Sequence, residues 1–299
     1  MRLGSWWFVV CLVVSPLVVR SAEPAPASSK FVRTPLVLRQ GGTAEKPAVF
    51  DGQGMVIDLG IDVTGEAWTK AGDLWTSKGP IQKRPPQESG NFPGLFVDEV
   101  PIIIPRDRDA EKLHPEQRGK LYVAPDKLAP GQMGYAADGS FYFRWPKGKS
   151  PADGRVILPA AGLTSCVTVA CSHIIVKNVT AKYAGNDGFN IHGKWIGIRL
   201  ENVKAFSCCD EGISAHDDVQ MDVDGAEVAW NGSQAGGVAD VNRSTTSYRN
   251  CTLHDNVGAA FHFTGKSHRV SDIVIFNQAR DFHIAERTEV VRERVDWRK

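Results

Sequence analysis

A near-repeat of about 24 residues between Ser172 and Ala285 constrains the fold of this chain more than any other feature. Its marker is a short apolar segment entered through a small residue, and successive markers are 24 residues apart, at Gly188, Gly212, Gly236 and Ala260. A second segment recurs at steps of 24, 23, 25 and 22 residues, at Asn178, Asn202, Gly225, Asn250 and Asp272. A weaker third segment lies between them, in residues 196–200, 219–223 and 268–270. Self-similarity at such a period is typical of a solenoid or a propeller.

The segments predict short β-strands, because they alternate in polarity and are separated by Gly, Asn and Asp. Each repeat therefore predicts one coil of three strands. A single coil cannot bury its apolar face, so coils must stack, with like strands about 4.8 Å apart. A propeller blade needs four strands and roughly 40 to 45 residues, which this interval does not supply. We predict an all-β fold, a right-handed single-stranded parallel β-helix with coils of about 24 residues and a β-rich insertion.

Stacking also predicts which side chains fill the core. The expected inward ladders are Phe189, Ile213, Gly237 and Phe261, and Ile191, Ala215, Ala239 and Phe263. Glycine makes a weak rung at the third coil, and a register shifted by one residue would place Val238 inward instead. Both registers stay open at this point. Asparagines at the coil corners are expected to stack through their side-chain amides: Asn186, Asn231, Asn256 and Asn277.

The repeat is lost between Thr64 and Pro159, where Trp, Pro and charged residues accumulate. A structureless loop of that length is implausible, and Asp138-Gly139 before an alternating segment is a hairpin signal, so we expect a folded β-rich insertion. The predicted organisation is signal peptide 1–22, flexible mature N-terminus 23–29, first β-helix coils 30–63, insertion 64–159, main coils 160–285, and a C-terminal cap or tail 286–299. The tail is expected to be a capping helix or a frayed end.

The N-terminus predicts export to the periplasm or the extracellular space. Arg2 precedes an apolar run, residues 6–19, followed by Arg20-Ser-Ala22 and a Pro/Ala-rich stretch, as in a secretory signal peptide. A retained membrane anchor is the alternative; otherwise we expect no stable membrane insertion after cleavage.

A formal net charge of +1 argues against a nucleic-acid partner. The mature chain would keep five cysteines, expected as buried thiols, with a Cys166–Cys171 disulfide as the alternative.

Two acidic residues are the sharpest candidates for catalysis. Asp187 and Glu211 are 24 residues apart, each directly before a marker glycine, so stacking would place them on adjacent coils. Their carboxyl groups would then fall near the separation of about 5 to 5.5 Å expected of a retaining glycosidase. One would attack the anomeric carbon and the other would donate the leaving-group proton. Asp and Gly also suit a tight turn, so a purely structural role is the competing interpretation.

Further candidates surround this pair. An outward ladder of His192, His216, Asp240 and Thr264 is expected to bind sugar or move protons, with Asp210 adding to the densest group of functional side chains. Basic residues could serve a lyase that removes a proton from a uronic acid, and aromatic residues could stack on sugar rings. The basic set is Arg243, Lys266, His262, His268 and His283, and the aromatic set is Trp195, Trp230, Tyr183 and Trp145.

The Asn-Val and Asp-Gly or Glu-Gly pairs of residues 165–285 resemble those of the pectin-lyase-like superfamily. The resemblance implies a right-handed parallel β-helix and a carbohydrate-active protein, since polysaccharide lyases and glycosidases share this fold. The insertion resembles the small β insertion of some β-helix glycosidases, which lies beside the substrate cleft. We expect hydrolysis of a polysaccharide or oligosaccharide without a required cofactor or metal. A polysaccharide lyase, which would make Ca²⁺ relevant, and a non-catalytic glycan-binding module are the alternatives.

Overall fold

The computed structural model describes residues 30–77, 93–117, 121–135, 141–232 and 235–298. The predicted signal peptide and the Asp138-Gly139 turn lie outside these ranges. The first solenoid strands are β1 (Phe31–Val32), β2 (Leu36–Leu38) and β3 (Ala48–Asp58). The insertion contributes β4 (Ile61–Asp62), β5 (Trp68–Ala71), β6 (Leu74–Ser77), β7 (Pro93–Val97), β8 (Val100–Ile103), helix α1 (Arg108–Leu113), β9 (Gln132–Tyr135), β10 (Phe141–Arg144) and β11 (Val156–Leu158). Short 3-10 turns cover Pro115–Gln117, Pro125–Lys127 and Pro151–Asp153.

The remaining strands form the main solenoid. They are β12 (Val167–Val169), β13 (Ile174–Lys182), β14 (Phe189–Gly193), β15 (Ile198–Glu201), β16 (Lys204–Phe206), β17 (Ile213–Asp217), β18 (Gln220–Asp224), β19 (Glu227–Ala229), β20 (Val238–Asp240), β21 (Thr245–Arg249), β22 (Thr252–His254), β23 (Ala259–Phe263), β24 (Ser267–Phe276), β25 (Arg280–Ile284) and β26 (Glu289–Arg298).

The predicted parallel β-helix is confirmed. Within the described residues, a seven-stranded parallel sheet runs in the order β2-β12-β14-β17-β20-β23-β25. An eleven-stranded sheet supplies the other two faces, because the long strands β13 and β24 each pair with two shorter strands along one side: β13 with β15 and β16, and β24 with β21 and β22. Each coil therefore contributes three strands, and its residues recur about every 24 positions.

The recurring small and polar residues mark the corners between strands. The second repeat segment begins at backbone positions with positive φ, a conformation that Gly, Asn and Asp adopt most readily: Asn178, Asn202, Gly225, Asn250 and Asp272. The marker glycines serve another corner, where space is lacking. A Cβ added at Gly188 would lie 2.6 Å from the carbonyl oxygen of Gly212, so only a very small residue fits between the stacked coils.

The inward ladder follows the shifted register at the third coil. Phe189 pairs with Ile213, Ile213 pairs with Val238, and Val238 pairs with Phe261, so the expectation of Gly237 in this ladder is wrong. The step from Ile213 to Val238 is 25 residues, and the extra residue is accommodated before β20. The same shift places Asp240, rather than Ala239, in the second inward ladder.

Polar ladders and buried thiols line the corners of the coils. Asn231 and Asn256 stack as predicted, with Asn231 Nδ2 donating to Asn256 Oδ1 at 2.9 Å. The five cysteines of the described residues are buried free thiols, and no Cys166–Cys171 disulfide forms among them: Cys166, Cys171, Cys208, Cys209 and Cys251.

The insertion folds into an eight-stranded sheet in the order β4-β11-β7-β8-β9-β10-β6-β5. It has its own apolar core, which includes Phe141, Phe143 and Met133. Its β7–β8 corner packs against the solenoid, where Glu99 accepts hydrogen bonds from Lys182 Nζ (2.6 Å) and Ser207 Oγ (2.9 Å). The insertion is thereby fixed beside the corners that lead into β14 and β17.

The C-terminal residues contradict the expectation of a capping helix or a frayed end. They form β26, which pairs in parallel with β24 from Ser267↔Glu289 to Phe276↔Arg298. The last coil leaves an unpaired strand edge, and this ten-residue strand satisfies it. Among the residues that the structure describes, no helix is long and apolar enough to cross a membrane.

Candidate functional site

Three carboxylates meet at the corners that precede β14 and β17. The corners are stacked by backbone hydrogen bonds, including Gly188 N to Glu211 O at 2.9 Å. Side-chain oxygens of Asp187, Asp210 and Glu211 lie within 4.8 Å of one another. We call these three residues the acidic cluster. The equal interval in the sequence thus brings the two predicted acids together, and Asp210 joins them.

Asp187 lies deepest in the acidic cluster. It is 2% exposed, and Glu211 is 8% exposed. Oδ2 of Asp187 accepts hydrogen bonds from Asn186 Nδ2 (3.0 Å) and Asn190 Nδ2 (2.8 Å), and Oδ1 accepts one from the backbone N–H of Glu211 (3.3 Å). Asn190 lies on the outward face of β14, and sequence reasoning missed it because an isolated asparagine in a strand carries no distinguishing signal.

The environment of Asp187 favours its protonated form. Burial, followed by the negative charge of Asp210, raises the pKa of Asp187 to about 7, although hydrogen bonds from Glu211 and Asn190 oppose the rise. A buried carboxyl group beside another negative charge is costly to ionise, so Asp187 keeps its proton up to near neutral pH. The acidic cluster therefore combines a proton donor with a carboxylate, the two groups that glycoside cleavage requires.

His192 and His216 stack on the same sheet, with ring centroids 3.9 Å apart and planes inclined by 12°. Burial, with the neighbouring His192, lowers the pKa of His216 to about 4; burial also lowers the pKa of His192. Both rings are therefore neutral near pH 7. His192 Nε2 lies 3.3 Å from Ser214 Oγ, and the charge of Asp210 acts on His192, which connects this stack to the acidic cluster.

Asp240 does not belong to the outward ladder, and that expectation is wrong. It is fully buried and points into the solenoid, because the register shifts by one residue at β20. Its carboxylate accepts hydrogen bonds from Thr246 Oγ1 (2.6 Å) and Tyr248 Oη (3.2 Å), and Thr246 Oγ1 lies 2.7 Å from His268 Nδ1. His268 is also buried, so neither residue can contact a substrate. We call Asp240, Thr246, Tyr248 and His268 the core polar cluster.

Other predicted residues lie elsewhere or serve packing. Arg243 is exposed and binds Asp218 through two hydrogen bonds, 2.5 and 2.7 Å long, while Lys266 is exposed at a corner. Trp195 donates its Nε1 hydrogen to the backbone carbonyl of His192, and is the one predicted aromatic residue adjacent to the stacked imidazoles.

The other aromatic candidates are occupied by packing. Trp230 lies at the equivalent corner of the coil after the acidic cluster, where it is edge-on to Phe206 and His254. Tyr183 is buried against Phe96, and Trp145 is buried in the core of the insertion, so neither ring can stack on a sugar.

His262 and His283 lie on the outward face of the seven-stranded sheet, farther along the solenoid axis. They occupy the same ladder as Asn190 and Ser214, through the pairs Asn190↔Ser214, Ser214↔Ala239, Ala239↔His262 and His262↔His283. The structure thus separates the predicted basic set, since these two histidines face outward while His268 lies in the core.

The insertion packs against the corner that carries Asp210 and Glu211. Phe96 of β7 belongs to a small buried cluster with Tyr183 and Cys209, and its ring centroid lies 5.5 Å from that of Tyr183. Cys209 directly precedes Asp210. The corner that carries two of the three acids is therefore held by packing against the insertion.

No known protein family matches the sequence, and no curated protein matches it. A comparison with solved structures finds two weak matches. One is a glycoside hydrolase, with a TM-score of 0.35 and 10% identity over 89% of this chain and 87% of that chain. The other is a complex of XylC with xylose, with a TM-score of 0.27 and 11% identity over 86% of this chain and 64% of that chain. At these TM-scores neither likeness supports an inference about activity.

Proposed function

We propose that this protein is an exported carbohydrate-active β-helix that cleaves glycosidic bonds in a polysaccharide by hydrolysis. The observation that carries the proposal is the acidic cluster, in which three carboxylates lie together and one is buried enough to hold a proton near neutral pH. Retaining glycosidases need a protonated and an ionised carboxyl group about 5 to 5.5 Å apart, and oxygens within 4.8 Å of one another are compatible with that spacing.

In this proposal the proton that Asp187 holds passes to Glu211, the more exposed of the two, and Glu211 donates it to the leaving-group oxygen. Asp210 is less buried than either and carries the negative charge. Asp210 attacks the anomeric carbon, the glycosidic bond breaks, and a covalent glycosyl intermediate forms. Glu211 then removes a proton from water, and the water oxygen displaces Asp210 from the anomeric carbon.

The neutral imidazoles of His192 and His216, with the side-chain amide of Asn190, offer hydrogen bonds to sugar hydroxyls. Because Asp187 loses its proton as the pH rises through its pKa, activity is expected to fall above about pH 7.

A polysaccharide lyase is the second candidate. The specific observation that favours it is the same stack of imidazoles, since a ring that is neutral at pH 7 can accept the C5 proton of a uronic acid. Carboxylate oxygens such as those of the acidic cluster are also ligands for Ca²⁺, which would neutralise the substrate carboxylate.

A glycan panel separates these functions. Hydrolysis releases reducing ends without ultraviolet absorbance, whereas elimination also produces unsaturated uronates that absorb. Glu211→Gln should lower kcat at least about a hundredfold, since a general acid contributes roughly 10² to 10⁴. Glu201→Gln is the matched control, because Glu201 pairs with Arg199 on the eleven-stranded sheet and should leave the rate unchanged. If neither product appears but glycan binding persists in both variants, the protein is a binding module and the proposal is wrong.

A further inference from the structure

A cavity of about 450 Å³ opens on the seven-stranded sheet at the end opposite β2. Its lining includes His262, Arg280 and His283, together with the small residues Gly258 and Ala259. We call it the basic cavity. The rings of His262 and His283 stack with centroids 4.4 Å apart, and Arg280 Nη1 lies 3.3 Å from His283 Nδ1. Among the described residues that line it, Arg280 is the charged one and none bears a carboxylate.

The basic cavity and the acidic cluster lie along the same edge of the sheet. Arg280 pairs with Ala259, and the strand registers make Ala259 the counterpart of Gly236 and Glu211 on the preceding coils. Arg280 is therefore three rungs from Glu211, or about 14 Å at 4.8 Å per rung. In the adjacent ladder, Ala239 is the residue between Ser214 and His262.

The residues between the two sites are small and buried. Gly236 and Ala259 have at most a methyl group in the column that runs from Glu211 to Arg280, and so does Ala239 in the adjacent ladder. Two polar sites about 14 Å apart along one sheet suit an extended ligand that is longer than one sugar ring. A guanidinium beside two histidines suits an anion, because charge-assisted hydrogen bonds to carboxylate or sulfate are stronger than those to neutral hydroxyls.

We propose that the basic cavity is a subsite for an anionic substituent, a carboxylate or a sulfate ester, of the polysaccharide that the acidic cluster cleaves. This inference deepens the proposed function and depends on it for the identity of the ligand. It assigns the substrate to the acidic polysaccharides and gives Arg280, His262 and His283 a binding role distinct from the chemistry at Glu211.

The test is calorimetric binding in a Glu211→Gln background, so that ligands stay intact. The probes are uronate oligosaccharides with their carboxyl-reduced forms, and sulfated oligosaccharides with their desulfated forms; the two pairs distinguish carboxylate from sulfate. Arg280→Gln is compared with Arg269→Gln, which removes the same charge from an exposed arginine paired with Glu293 on another face. Arg280→Gln should weaken binding of the acidic probe roughly tenfold to a hundredfold and leave binding of its neutral form unchanged.

Equal losses in the two arginine variants would show only general attraction and would overturn the inference, as would equal binding of acidic and neutral probes. An unchanged affinity for the neutral probe and an unchanged thermal midpoint show that Arg280→Gln is folded. The two proposals fail separately. Cleavage of neutral glycans without an effect of Arg280 overturns the basic subsite alone, whereas acidic binding that depends on Arg280 in a protein that cleaves nothing overturns the enzymatic function alone.

Discussion

Replacing Asp240 with asparagine should change how the stability of this protein depends on pH. Asp240 is completely buried in the core polar cluster, and burial raises its pKa from 3.8 to about 7 although Thr246 and Tyr248 donate hydrogen bonds to it. Between these two pH values the folded state binds more protons at this site than the unfolded state. The contribution of Asp240 to the free energy of unfolding is therefore intact below about pH 4 and is lost as the pH rises to about 7.

The magnitude follows from the size of the shift. About three pKa units at 1.36 kcal/mol per unit give roughly 4 kcal/mol as the cost of ionising Asp240 in the folded protein. Asparagine has the same shape and does not ionise. Its Oδ1 can accept from Tyr248, and its Nδ2 can donate to Thr246 Oγ1, which then donates to His268 Nδ1. Burial lowers the pKa of His268 to about 4, so its ring is a neutral acceptor above that pH.

The assay is urea unfolding of the wild-type protein and Asp240→Asn at pH 4.5 and pH 8. The free energy of unfolding of the variant, relative to wild type, should rise by up to about 4 kcal/mol over this interval. Other titrating groups contribute equally to both proteins and cancel in the difference. A relative stability that falls with pH would mean that Asp240 is stabilised as a carboxylate by a charged His268, and it would refute the reasoning.

Two further substitutions test the stacking of the coils. Gly212→Ala should lower the free energy of unfolding by about 1 to 3 kcal/mol in a denaturant titration, because the added Cβ would lie 2.4 Å from Val228 Cγ1. Gly65→Ala is the control: its added Cβ would meet nothing within 4 Å, so the free energy of unfolding should stay the same. Asn256→Ala removes the buried side chain that accepts from Asn231 and donates to Val228 O, and should lower the free energy of unfolding by about 3 kcal/mol. A loss below about 0.5 kcal/mol in calorimetry would mean that this amide ladder contributes nothing.

The repeating corners could be predicted from the sequence because local chemistry dictates them. A left-handed backbone position favours Asn, Asp or Gly, as at Asn178, Asn202 and Gly225, and a crowded corner excludes a Cβ at Gly188. These demands recur in each coil, so the interval can be read without knowing any long-range contact. The proximity of Asp187 and Glu211 follows from that interval alone.

The register at β20, the strand order of the insertion and the C-terminal strand depend on long-range contacts, which the repeat interval does not reveal. One extra residue before β20 can be accommodated at either side of a corner, so the sequence left the register open, and the position of Asp240 changed from surface to core with it. The order of the insertion strands is set by distant pairings such as Ile157↔Phe96. The charged C-terminus suggested a capping helix or a frayed end, but Val290 and Val295 pack on the last coil, and the need to cover a bare strand edge determines its structure.

The configuration of the first product tests the central claim most directly. Time-resolved proton NMR of the wild-type protein with a glycan that it cleaves would record the anomeric proton of the newly released sugar before it equilibrates. Attack by Asp210 followed by water inverts the anomeric carbon twice, so the account predicts a first product with the configuration of the substrate. A first product of inverted configuration, or an unsaturated uronate in its place, would contradict the roles assigned to Asp210 and Glu211.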